Sequence, residues 1–201
     1  MDLLKYLVPR IPLHAVRGIF LVTVVGAIVG GAYGVIHDQI TYTIGEEYFT
    51  RVKFDQFWWA RPSADSPRLF AGIIGFMATW WVGALTAWVL SRVSLSREGK
   101  IAPPREIAVS FMIVFLTAFL AGVCGWLFGL WRTTTGYAEG WHNLMDIKGV
   151  ENKEAFMTVA YIHNSSYLGG VVGMAFGLVY LTRCRRRRNG NSALADAVPV
   201  R

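Results

Sequence analysis

Charge is scarce in this chain. Asp, Glu, Lys and Arg supply only 16% of its 201 residues, whereas a soluble domain of ordinary composition carries about 25%. Cysteine is scarcer still. Cys124 stands in an apolar block and Cys184 in a basic tail, a separation that argues against a disulfide. The chain lacks H-E-x-x-H, H-x-x-E-H and C-x-x-C-H patterns, so none of these local motifs announces a metal or a covalently attached haem. It also lacks nucleic-acid motifs, and its net charge of +7 is clustered at the ends of apolar blocks rather than along one face. That placement excludes nucleic acid as the partner and points to membrane orientation.

What the chain has in abundance is uninterrupted apolar sequence. Hydrophobic residues make up 54%, and they fall in blocks of about twenty, the length that crosses ~30 Å of hydrocarbon. Four such blocks are present, at about 18–36, 69–90, 107–130 and 159–182. The expected fold is therefore an all-α membrane protein, a four-transmembrane-helix bundle in which residues 1–182 form one domain. The first block has 19 uncharged residues, longer than the ~7–15 of a signal peptide's apolar region, and reads as an uncleaved helix. Residues 183–201 read as a basic tail without fixed structure.

Orientation follows from lysine and arginine. The amino-terminal lead-in (Lys5, Arg10, Arg17), the middle loop (Arg92, Arg97, Lys100, Arg105) and the tail (Arg183, Arg185 to Arg188) hold twelve, against seven in the two long connections. The positive-inside rule then places both termini in the cytoplasm and both connections outside. The connections carry nine of the thirteen acidic residues. Small residues recur four apart in the first span (Gly26, Gly30, Gly34) and in the fourth (Gly169, Gly173, Gly177). Such rows let backbones approach closely in lipid, and the first and fourth helices are the expected tight pair.

The chemistry is concentrated between His37 and Trp59, HDQITYTIGEEYFTRVKFDQFWW. Ile40 to Ile44 alternates apolar and hydroxyl residues and predicts an extended segment; Glu46 to Trp59 predicts a short interfacial helix, with Trp58 and Trp59 as an aromatic belt. The first span ends in His37-Asp38-Gln39 and the fourth begins with His163-Asn164-Ser165-Ser166-Tyr167, so an antiparallel bundle brings both to one side. His37, Asp38, Glu47 and His163, with His142 as an outer member, form a candidate ligand set for a transition metal ion, since imidazole and carboxylate suit zinc, iron, copper and manganese. Gln39, Tyr42, Tyr48, Asn164 and Tyr167 would line the site. The competing view is that these groups are solvated caps at helix ends.

Other chemistries are narrower. Haem would need His37 and His163 as axial ligands. A Ser165 or Ser166 nucleophile beside His163, with Asp38 as orienter, suffers because sequence neighbours on a helix do not face one another. A transporter would need polar groups at mid-span, where the chain offers hydroxyls but no ionisable side chain. A non-catalytic alternative is an accessory or scaffold subunit, with Tyr48, Phe49, Arg51, Phe54, Phe57, Trp58 and Trp59 facing a membrane-protein partner or a second copy.

The run Tyr33-Gly-x-x-His37-Asp38-Gln39-x-Thr41-Tyr42, followed by Glu47-Tyr-Phe-Thr50 and Phe54-x-Gln-Phe57, resembles a group of uncharacterised bacterial four-span membrane proteins, with His163-Asn-x-Ser-Tyr167 as a second block. The resemblance implies a multi-pass protein of a bacterial inner membrane and no mechanism.

Overall fold

The computed structural model describes residues 11–63, 66–95, 100–136 and 139–197, and of 191–197 only the backbone. The first ten residues, Arg97 of the middle loop and the last four residues, all of which entered the sequence reading, lie outside that set. Among the described residues there is no strand. Four long helices dominate: α1 (Leu13–Ile44), α2 (Pro67–Val93), α3 (Pro104–Thr135) and α4 (Lys153–Ala197). All four are long and apolar enough to cross a membrane.

Each helix outlasts its apolar block, and the ends show why. Ser66 accepts a hydrogen bond from the Leu69 amide (3.3 Å) and Pro67 opens α2, since proline costs nothing where the amide has no helical partner. Proline likewise opens α3, and Gly136 ends it at a φ of 82°. Asn152 accepts from the Ala155 amide (3.0 Å) at the start of α4.

Two expectations fail here. Ile40 to Ile44 is helical, not extended, so α1 runs eight residues past Ile36, about 12 Å beyond the apolar block. Thr41 and Thr43 hydroxyls bond back to the His37 and Gln39 carbonyls at 3.0 Å each, which accommodates threonine in a helix. The basic tail is also helical as far as Ala197. Arg185 donates to the Val93 carbonyl (3.0 Å), and Arg188 to the Ser94 carbonyl (2.9 Å) and to Glu106. Two tail arginines thereby cap the carboxy-terminal end of α2.

The helices pair as two antiparallel hairpins, α1 with α2 and α3 with α4. The predicted α1–α4 pair is thus corrected. The glycine row of α1 meets Gly75, Thr79 and Gly83 of α2: a Cβ on Gly34 would stand 2.1 Å from the Gly75 carbonyl oxygen. Thr79 donates across this interface to the Gly30 carbonyl at 2.9 Å. The α4 row lies against Val114, Thr117 and Ala118 of α3. Sequence spacing identified real contact faces but matched them to the wrong partner, because α2 supplies threonine where a strict row would have glycine.

The hairpins meet at both ends of the bundle. At the basic end Leu90, Ala102, Ile107 and Leu181 form a small core. At the opposite end the chain after α1 folds through short turns, Glu46–Tyr48, a π-helical turn Phe49–Lys53, Phe54–Gln56 and Trp58–Ala60. These turns confirm a helical rather than extended 46–59 segment. They tuck Tyr48 and Phe49 under Phe156, Met157 and Met145, Met145 coming from the short helix Glu139–Ile147.

Candidate functional site

His37 and Asp38 stand at the end of the first apolar block, and His163 about three turns inside α4. The hairpin contact brings them together. Asp38 Oδ1 lies 3.2 Å from His37 Nδ1 and 3.2 Å from His163 Nε2. The two imidazoles meet edge to face, centroids 4.7 Å apart. Asp38 is 6% exposed and His163 2%. A carboxylate so enclosed persists only if it is compensated.

Further groups hold each ring. His163 Nδ1 sits 3.0 Å from the Val159 carbonyl oxygen, one helical turn back. His37 Nε2 is 3.4 Å from Ser166 Oγ, and Tyr33 in turn contacts the Ser166 hydroxyl. Tyr48 lies on the His163 ring at 4.8 Å, Phe49 at 5.9 Å and Tyr167 at 6.2 Å. Phe49 opens the π-helical turn and Tyr48 immediately precedes it, a backbone device common at functional sites. Lys53, from the same turn, spans 5.6 Å to the Tyr48 ring. Loss of hydration pulls its ammonium below the ordinary lysine range, partly offset by the nearby Asp38 charge. Burial also pushes the Tyr48 phenol upward, so its hydroxyl stays protonated.

Hydrogen counting decides what this cluster can bind. A carbonyl oxygen only accepts, so His163 Nδ1 carries a hydrogen, a tautomer assigned from its partner. In a neutral ring Nε2 then presents a bare lone pair, and it faces a carboxylate oxygen. Two lone pairs at 3.2 Å repel unless a positive particle lies between them. That particle is a proton, on His163 or on Asp38, or a metal cation. His37 raises no such conflict: Nδ1–H donates to Asp38 and Nε2 accepts from the Ser166 hydroxyl.

The donor set fits a metal. One ligand atom from each of His37, Asp38 and His163 lies within 4.8 Å of the other two. Tetrahedral zinc with bonds of ~2.1 Å spaces its ligands at about 3.4 Å, so small side-chain shifts suffice. The other nitrogen of each histidine is already held by Val159 or Ser166, as outer partners of metal-bound imidazoles are.

The remaining predicted residues divide clearly. Glu47 does not join the cluster: its carboxylate accepts from the Glu151 and Asn152 amides (3.0 and 2.6 Å) at the head of α4. Burial alone would raise the Glu47 carboxyl, but these amides and Arg51 outweigh it and hold it below the ordinary range. His142 is exposed on the helix Glu139–Ile147, outside the group. Gln39 donates to the Arg68 carbonyl (2.8 Å), tying α1 to α2. Tyr42 contacts Glu46 (3.4 Å) and lies under Arg68. Asn164 is exposed. Tyr48 and Tyr167 do line the site. Tyr33, Phe49, Lys53 and Ser166 were not among the predicted site residues, although Ser166 stood as a nucleophile candidate and Phe49 as a partner-facing residue; the four-residue spacing Tyr33–His37 was a signal for Tyr33.

Ser166, His37 and Asp38 also follow the order hydroxyl, imidazole, carboxylate. The serine is 6% exposed and faces the Gly122 backbone, where an added Cβ would stand 2.5 Å from Oγ. It has no room for an acyl group and serves as a hydrogen-bond partner. Comparison of the chain with protein-family models, curated proteins and solved structures finds no match.

Proposed function

We propose that this is a multi-pass membrane protein that binds one transition metal ion between its two hairpins, at the end of the bundle away from the basic tail. His37, Asp38 and His163 are the ligands. The observation that carries the reading is the Val159-fixed tautomer, which leaves a lone pair of His163 aimed at Asp38. Three nitrogen and oxygen ligands leave a further position for water or a small ligand, the pattern of sites that do more than brace a fold. The lysine and arginine bias supports placing this end outside a bacterial inner membrane.

The test is a matched set of variants, His37→Ala, Asp38→Asn and His163→Ala, loaded with cobalt(II) in detergent. All three lose the visible ligand-field bands of the wild type while keeping its helical circular dichroism. Loss of helicity with bands intact in the surviving fold would overturn the assignment. A wild type that takes up no cobalt would assign the positive particle as a proton held between His163 and Asp38.

A further inference from the structure

Above the buried cluster lies a second feature that the metal reading does not use. A cleft of about 750 Å³ opens between the last turn of α1, the Glu46–Thr50 segment, Arg68 and the head of α4. Its volume falls within the range of small-molecule sites. Two of its charged groups are already engaged: Glu47 binds the Glu151 and Asn152 amides, and Arg51 lies 3.7 Å from Glu47.

Three others are not. Arg68 lies 5.1 Å over the Tyr42 ring and donates to Thr43 Oγ1 at 3.1 Å, leaving the rest of its guanidinium without a carboxylate among the described residues. Among the described residues the Glu46 carboxylate has only the long contact from Tyr42, at 3.4 Å, and Glu151 has no ion pair. The cleft therefore offers one guanidinium and two carboxylates. A guanidinium takes a phosphate through paired N–H donors, and an ammonium has three hydrogens with which to bridge two carboxylates.

The depth of the cleft limits the ligand further. It sits where α1 and α4 leave the apolar region and α2 begins, the level of lipid headgroups. Ile44 lines it, and Ile40 and Ile36 follow at four-residue steps down the same face of α1, 55% and 62% exposed. An acyl chain would descend along that stripe.

We infer that the cleft binds a phospholipid headgroup carrying a phosphate and a primary ammonium, the phosphate on Arg68 and the ammonium between Glu46 and Glu151. This site is independent of the metal. Native mass spectrometry of the full chain, exchanged into phosphatidylethanolamine, phosphatidylglycerol and phosphatidylcholine of matched acyl chains, tests it. The wild type retains one phosphatidylethanolamine about tenfold better than either competitor, the ratio for one well-made charged hydrogen bond. Arg68→Gln and the pair Glu46→Gln, Glu151→Gln each abolish the preference, with metal content and melting temperature unchanged. Soluble glycerophosphoethanolamine as competitor identifies the source. Displacement shows that the headgroup suffices, and its failure shows that the acyl chains are required; both uphold the site. Equal retention of the three lipids by the wild type would overturn it whatever the variants do, as would a preference that survives the substitutions.

Discussion

At the scale of single residues, function and burial are set by hydrogen-bond direction. The Val159 carbonyl oxygen only accepts, and that one fact orients His163 and leaves Asp38 facing a lone pair. Ser166 does the same work for His37 from the other side, with Tyr33 behind it. Removing this outer partner costs about tenfold in affinity or more at metal sites. Ser166→Ala is therefore expected to weaken metal retention by about that factor against a competing chelator, without abolishing it. Unaltered retention would show that the hydroxyl does not orient His37. The sequence displayed His37, Asp38 and His163 as neighbours of apolar blocks, which is why they were legible. Ser166 and Tyr33 were not, because hydroxyls on membrane helices usually satisfy their own backbone and carry no mark of a longer-range partner.

Elements are joined by two kinds of contact, close backbone approach and charged caps. The α1–α2 interface leaves no space beside Gly34, so Gly34→Ala forces the helices apart. A loss of about 1–3 kcal/mol is expected for such overpacking, read as a lower melting temperature in detergent. Gly140, in the helix Glu139–Ile147, has nothing within 4 Å of its would-be Cβ. Gly140→Ala is expected to be neutral or stabilising by up to ~1 kcal/mol. If both variants melt like the wild type, the hairpin contact is wrong.

Glu47 is the charged cap that joins the hairpins. Its carboxyl is held below the ordinary 4.5, so its folded form releases the proton more readily than the unfolded chain does. The stability it adds is then fully present above that ordinary value and drains away as pH falls through the lowered one. Glu47→Gln should melt below the wild type at pH 7, by the equivalent of about 1–2 kcal/mol given its partial exposure, and the gap should close on acidification below pH ~4. A gap independent of pH would show that the amides bind either form equally. Sequence reading placed Glu47 in the metal set because acidity alone does not distinguish a ligand from a helix cap. The distinction needs the Glu151 and Asn152 amides, more than a hundred residues away.

The whole molecule is two glycine-welded hairpins held together at their two ends. One end is closed by Arg185 and Arg188 on the carboxy-terminal turn of α2. The other is closed by Glu47, by Lys148 with Asp55 at 3.0 Å and by the His–Asp–His cluster. Four spans and an all-helical fold were plain in the sequence because block length and hydropathy are local properties. Helix partners were not, since α1 and α4 carry the best glycine rows yet each lies against its neighbour in sequence, across the two long connections rather than the short middle loop. The π-helical turn at Phe49–Lys53, which carries Phe49 and Lys53 to the site, has no sequence signature at all. Single cysteines introduced at Trp59 and at Asn189, in a chain lacking Cys124 and Cys184, should react with an impermeant maleimide only at Trp59 in intact cells. Labelling of the tail instead would reverse the orientation read from the basic residues.

The central claim is that a cation occupies the gap between Asp38 and His163. Its most direct test is elemental analysis of protein purified in mild detergent without chelator, wild type beside His163→Ala, followed by reloading of both. About one transition metal ion is expected per wild-type chain and none in the variant, with equal helicity. Equal metal in the two proteins, or a wild type that neither retains nor takes up metal, would contradict it.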